Sequence, residues 1–260
     1  MKAVLLGILG FGSVVFADFT LESSAFKNGN CLPEEFTYCK AAKNGHIEQS
    51  ADISPPLEWD NPPAGTRSFA IIVTDPDAVD LPYFDLPNKV ISPSAPRVVV
   101  HHWILVNIPS HVRSIPEGAG SEGFVEGGKP VGRTKYGLTG ENVYSNVFKS
   151  FLSKRVEFSD EDPKKMEGVY GDYDGGCPPW NDMKAHRYTY TIYALNVEGL
   201  NLPEDGMFTG DDAMKAMRGH VLGHAKLVGL YSTNKDLIKK KYCSSGKKQK
   251  KGGWFQRRAY

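Results

Sequence analysis

Four runs of β-branched and aromatic residues, each ended by Pro, Gly, Asp or Asn close by, limit what this chain can become. Phe69-Ala-Ile-Ile-Val-Thr74 lies between Arg67-Ser68 and Asp75-Pro76. Val98 to Ile108 is longer and equally apolar, Arg187 to Asn196 alternates in part, and Lys226 to Ser232 is the fourth. Runs of this length and composition read as strands, and strands this apolar need cover on both faces. The pattern predicts a mainly β fold with peripheral helices, built on a central sheet in a sandwich-like arrangement. The 27 glycines and 17 prolines agree, because they punctuate short strands better than a helical bundle.

Two helices are expected at the edges. Thr209-Gly-Asp-Asp212 has a capping-box pattern, with Met214, Met217 and Val221 behind it at helical spacing and the fourth strand close after. Val143 to Lys154 places Val143, Val147 and Phe151 on one face, before an acidic, Gly-rich loop from Ser159 to Gly176.

The ends of the chain read differently from its body. Lys2 followed by an apolar run from Ala3 to Phe16, with small residues around Val15-Phe16-Ala17, is a signal-peptide pattern with cleavage before Asp18. The run is too short to span a bilayer. Export to the periplasm or the exterior is therefore expected. From Lys235 to Tyr260 there are ten basic residues and one acid, a net +9, which leaves residues 18–234 at −9 when Lys2 and the tail are taken from the overall +1. An acidic body is no nucleic-acid scaffold, whereas the tail, expected to be disordered, can contact anionic lipid or another polyanion. Four cysteines in an oxidising compartment allow disulfides, and Cys31 with Cys39 is the pairing their closeness suggests. A zinc site competes, though there is no CxxC pair.

Three segments carry chemistry, each at a strand end. Asp75-Pro-Asp77 follows the first strand, and Pro76 would fix a turn that holds two carboxylates in defined directions. In His101-His102-Trp103 the two imidazoles must point to opposite faces. Cys177-Pro-Pro179 precedes His186-Arg-Tyr188, where His186 and Tyr188 share a face and Arg187 points away, toward a carboxylate. Each segment has an ordinary structural explanation: a turn, a satisfied core histidine, a stiff loop. Together they offer imidazoles, a phenol, carboxylates and backbone N–H groups, which suit an oxyanion.

These segments resemble the phosphatidylethanolamine-binding proteins, also called Raf kinase inhibitor proteins, in the bacterial branch. Ser54-Pro-Pro-Leu-Glu-Trp59, Asp75-Pro-Asp-Ala78, His101-His-Trp103, Cys177-Pro-Pro179, His186-Arg-Tyr188 and Leu227-Val-Gly-Leu-Tyr231 occur in the family's order. The resemblance implies a large central sheet flanked by a smaller one, of Greek-key sandwich type, with a shallow anion pocket. It places the pocket on Asp75, Asp77, His102, His186 and Tyr188, with backbone near Gly176 and Pro178 as the rim. It also implies a phosphate or phospholipid head-group ligand such as phosphoethanolamine, a regulatory or inhibitory role toward a kinase or protease, and no cofactor, metal or catalysis. An Asp/His hydrolase or metal enzyme using the same residues is the alternative.

The family's pattern is broken in three places. Val79 stands for a proline, and Gly175-Gly176 for Gly-Pro, which would loosen the rim. An insertion at about 138–170 precedes the pocket loop and is expected to border the pocket.

Overall fold

The computed structural model describes residues 17–79, 90–149 and 163–241. The signal-peptide run, all but the first seven residues of the basic tail, and part of the insertion lie outside them. Twelve strands are described: β1 (Thr20–Glu22), β2 (Asn30–Cys31), β3 (Cys39–Ala41), β4 (Ile47–Gln49), β5 (Leu57–Asp60), β6 (Ser68–Val79), β7 (Arg97–Pro109), β8 (Ser114–Ile115), β9 (Gly132–Arg133), β10 (Leu138–Thr139), β11 (His186–Leu195) and β12 (Val221–Tyr231). Helices α1 (Val143–Lys149), α2 (Gly210–Ala216) and α3 (Lys235–Lys239) lie around them.

The four apolar runs become the four long strands β6, β7, β11 and β12. They form the middle of a seven-stranded sheet in the order β2-β12-β11-β6-β7-β10-β9, beside a three-stranded sheet β1-β5-β8 and the hairpin β3-β4. Successive residues of β6 serve opposite layers. Phe69, Ile71 and Val73 pack with Leu57, Trp59 and Ile115 of the smaller sheet. Ala70 and Ile72 pack with Phe208, Ala213 and Met217 of the α2 side. A large sheet flanked by a smaller one is thus present, and the sheet is covered on both faces as its composition demands. Among the described residues, no helix is long and apolar enough to cross a membrane.

Several expectations change in detail. The strand at 69–74 does not stop at Asp75-Pro76; it runs on to Val79, and a slip in register against β7 between Asp75 and Ala78 accommodates Pro76, which has no N–H to give the ladder. The capping box at Thr209 and Asp212 forms, but Ala213 and Met217 face inward. Met214 is exposed, and Val221 already belongs to β12, because the helix is two turns long and the period has changed by then. The helix from Val143 is described to Lys149; its expected end at 154 lies outside the described residues. The boundary placed at 234 falls on the N-cap of α3, where the Asn234 side chain accepts from the backbone of Asp236 and Leu237, and Leu237 is buried.

The cysteine pairing is corrected. Cys39 bonds Cys177, 138 residues away, while Cys31 is free. Cys31 lies in β2, hydrogen-bonded to β12, whereas Cys39 opens the hairpin that lies against the Cys177 loop. Nearness in sequence therefore said nothing about nearness in space.

Candidate functional site

His102 owes its position to an irregularity. Against β6, His101 pairs with Thr74 and Trp103 with Val73, so His102 is the extra residue opposite no partner. A bulge of this kind re-aims a side chain. The His102 ring stands at 5.3 Å from that of Tyr188 and 5.7 Å from that of Tyr144, edge to face in both cases. His101 points to the other layer, where it packs against Gly210 of α2.

Asp75 joins this group from β6. Its Oδ2 accepts from His186 Nδ1 at 2.7 Å and its Oδ1 accepts from the Asp77 N–H at 2.7 Å, while burial and the nearby Asp75 charge push the Tyr188 hydroxyl pKa up. On the far side of the imidazole, Nε2 lies 3.1 Å from Asp182 Oδ2. Arg97 holds Asp182 with two N–H groups at 2.5 and 3.1 Å. The result is an unbroken row, Asp75, His186, Asp182, Arg97. Burial opposes charge on His186, but the two carboxylates outweigh it and push its pKa up to about 9, so it is a cation. For His102 burial wins over the attraction of Asp75 and lowers the pKa to about 4, so its ring is neutral. Asp75, His102, His186 and Tyr188 are each 4% exposed or less, and the Tyr144 ring of α1 packs edge-to-face on His102.

Of the other expected pocket residues, Asp77 and Pro178 lie elsewhere, and Gly176 borders the site. Asp77 is turned to the opposite face of β11 by the slip after Asp75. There Arg187 grips it with Nε at 2.7 Å and a terminal nitrogen at 2.9 Å, and Lys184 Nζ adds a contact at 2.6 Å. Despite burial, these donors hold its carboxyl well below the usual range. Arg187 thus finds the carboxylate its outward direction called for. The Pro178 carbonyl accepts from Thr233 Oγ1 at 2.7 Å, beside α3. Gly176 touches Tyr188 so closely that an added Cβ would lie 2.0 Å from the ring.

The double glycine leaves the rim tight rather than loose. Gly175 N donates to Asp52 Oδ1 at 2.7 Å, the Tyr144 hydroxyl donates to the Gly175 carbonyl at 2.8 Å, Tyr38 N donates to the Gly176 carbonyl at 3.1 Å, and Cys177 is covalently bound. Tyr144 also stacks on Tyr38 with centroids 4.3 Å apart. The insertion therefore does border the site, through α1.

A second polar cluster stands behind His102, and nothing in the sequence announces it. Lys129 Nζ donates to Asp52 Oδ2 at 2.7 Å, to Asp174 Oδ1 at 2.5 Å and to the Tyr173 carbonyl at 2.9 Å; Asn142 Nδ2 donates to Asp174 Oδ2 at 2.6 Å. All five residues are buried. Burial pushes both carboxyls up, opposed by the lysine cation, while Lys129 is pushed up by them against its own burial. The two acids and the lysine thus titrate as one coupled group. Asp174 reaches the site with its backbone: its carbonyl accepts from His102 Nδ1 at 3.0 Å and its N–H donates to the His102 carbonyl at 3.1 Å. Asp182, Asp174, Asp52 and Lys129 escape sequence reading because each sits in a loop with no periodic spacing to mark it, and Tyr144 because the helical spacing marked Val143 and Val147 instead. A separate cleft of about 490 Å³, lined by His46, Trp180, Met183 and Asn234 among others, shares the 177–183 loop but none of the site residues.

Comparison with known proteins agrees with this architecture. The family model of phosphatidylethanolamine-binding proteins matches residues 22–232. A UPF0098 protein of Methanothermobacter thermautotrophicus is 30% identical over 211 residues, 81% of this chain and 97% of its own. The UPF0098 protein YbhB of Escherichia coli is 28% identical over 82% of this chain and 99% of its own. Two solved structures share the fold: a phosphatidylethanolamine-binding protein homologue, CT736, of Chlamydia trachomatis (TM-score 0.52, 24% identity, 82% of this chain and 97% of that one) and YbcL of Escherichia coli (TM-score 0.50, 23% identity, 83% and 99%). With the family model covering most of the described body, the chain belongs to the phosphatidylethanolamine-binding protein family.

Proposed function

We propose that this protein is an exported, non-catalytic binder of a small phosphate-like group, free or on a phospholipid head group, and that it acts as a regulator or inhibitor of a partner such as a kinase or protease. The convergence of Asp75, His102, His186 and Tyr188 from three strands carries the reading. Three long strands deliver imidazole, phenol and carboxylate to one spot, beneath a rim pinned by a disulfide. A cationic His186 supplies the positive charge. Export rests on the charged start, apolar middle and small-residue end of the first 17 residues. The C-terminal basic residues offer a second, salt-sensitive contact to anionic lipid.

The hydrolase alternative would have to run on His102, whose ring is neutral, rather than on His186. At neutral pH His186 keeps its proton between two carboxylates and has no lone pair with which to act as a base. The deciding experiment is thermal unfolding with phosphate or phosphoethanolamine. A ligand that binds only the native state raises the melting temperature by mass action. A rise at millimolar ligand, lost in a folded His102→Ala variant, is expected. No rise for either ligand overturns the reading.

A further inference from the structure

We propose that the site selects oxyanions that carry a proton, such as a phosphomonoester monoanion, over fully ionised or fully esterified ones. This deepens the anion-binding reading above and rests on it. The determinant is His102, held as a hydrogen-bond acceptor by groups that never touch the ligand.

A backbone carbonyl can only accept. Because His102 Nδ1 lies 3.0 Å from the Asp174 carbonyl, that nitrogen must carry the ring proton. A neutral ring then has a bare lone pair at Nε2. Asp174 cannot swing away to permit the other tautomer. Its own N–H is tied to the His102 carbonyl, and its side chain is tied to Lys129 and Asn142, with Lys129 anchored in turn by Asp52. The cluster is thus a positioning device acting through one carbonyl.

The surroundings keep the ring neutral. Asp75 faces it from β6, His186 and Tyr188 from β11, Tyr144 from α1, and His101 adjoins it on β7. Burial and the neighbouring His186 cation oppose a second positive charge, against the pull of Asp75. An oxyanion meeting that lone pair must bring its own O–H to bond it.

The test compares methyl phosphate with dimethyl phosphate, both binding to the full chain, by calorimetry from pH 5.5 to 8. In this range His186 stays cationic and His102 neutral. Methyl phosphate loses its second proton near pH 6, as phosphomonoesters do at about that value. Its affinity is expected to be nearly flat below pH 6 and to fall about tenfold per pH unit above it. Dimethyl phosphate, with equal charge and no O–H, is expected to bind at least tenfold more weakly. Asp172, whose burial raises its pKa to about 6, titrates in the same interval. For that reason the His102 state is read directly by ¹⁵N NMR, where an Nδ1-protonated, Nε2-bare ring is expected. In a folded His102→Gln variant, whose amide offers both donor and acceptor, the pH slope should flatten.

Methyl phosphate affinity that is flat to pH 8, dimethyl phosphate binding equally well, or an Nε2-protonated ring would each overturn the proton requirement and leave the anion site standing. Failure of methyl phosphate to bind at any pH would overturn the anion site itself.

Discussion

Asp75 and Asp77 are two residues apart on one strand, yet they pair with adjacent residues on opposite faces of β11: Asp75 with His186 at 2.7 Å, Asp77 with Arg187 at 2.7 Å. In an unbroken strand both carboxylates would share a face. The slip in register between Asp75 and Ala78 separates them. One carboxylate therefore joins the cluster around His186 and His102, and the other ties β6 to β11 from behind.

Two substitutions separate these roles. Asp77→Asn strips charge from a buried group facing Arg187 and Lys184. Because Arg187 is half exposed, its side of the loss is screened, and a cost of about 1–3 kcal/mol is expected, with phosphate affinity changed less than about twofold. Asp75→Asn is expected to weaken phosphate binding about tenfold or more, since it removes a partner of His186. Chemical denaturation and calorimetry on both variants check this; equal losses of affinity would contradict it.

Stability should fall as the solution becomes alkaline. His186 has its pKa raised from 6.5 to about 9, so its contribution is complete below the unfolded value of 6.5 and is lost as pH rises through 9. The slope in that window is about 1.4 kcal/mol per pH unit. His102, lowered to about 4, has the opposite sense: its contribution is complete above 6.5 and is lost as pH falls toward 4. Asp172, raised to about 6, partly offsets that acid-side loss. Urea unfolding at pH 6.5, 8 and 9.5 should show the alkaline decline; a constant midpoint would contradict it.

Breaking the disulfide should be costly, and removing the free thiol should not. The Cys39–Cys177 bond closes a loop of 138 residues, for which chain entropy gives up to about 5 kcal/mol. Cys39→Ala with Cys177→Ala is expected to lower stability by about 2–5 kcal/mol. Cys31→Ser should change it by less than about 0.5 kcal/mol, as unbonded positions do. Denaturation curves with and without reductant measure both.

Lys129→Met should be among the most damaging single changes. It leaves Asp52 and Asp174 buried without their cation, at a cost of about 3–5 kcal/mol. Adding Asp52→Asn and Asp174→Asn to it should recover part of that loss, and the comparison of melting temperatures decides whether charge or shape is responsible.

Much of the architecture was legible because it is periodic. The four apolar runs mark the four long strands, β7 and β11 to within one residue and β6 and β12 with one end five residues short, and the Thr209 capping box marks the start of α2. Half of the site was legible too. His102, His186 and Tyr188 lie on long strands whose alternation fixes their faces, and Asp75 follows one directly. What failed was non-periodic. The slips that re-aim His102 and part Asp75 from Asp77 obey no local spacing. Asp182 and Asp174 sit in a proline- and glycine-bounded loop whose partners are set by tertiary packing. Cys39 finds Cys177 because the β3-β4 hairpin lies on that loop, a contact no distance along the chain encodes.

The row from Asp75 through His186 and Asp182 to Arg97 alternates in sign and sums to zero. An incoming anion therefore meets a local cation without a surrounding excess of positive charge. Such a site has little long-range field for salt to screen, so ligand capture there should be almost indifferent to ionic strength. On the anion-binding reading, the net +9 of residues 235–260 would supply the long-range attraction for anions that the row lacks. Recognition at short range and attraction at long range are thus assigned to different parts of the molecule, and added salt weakens only the second.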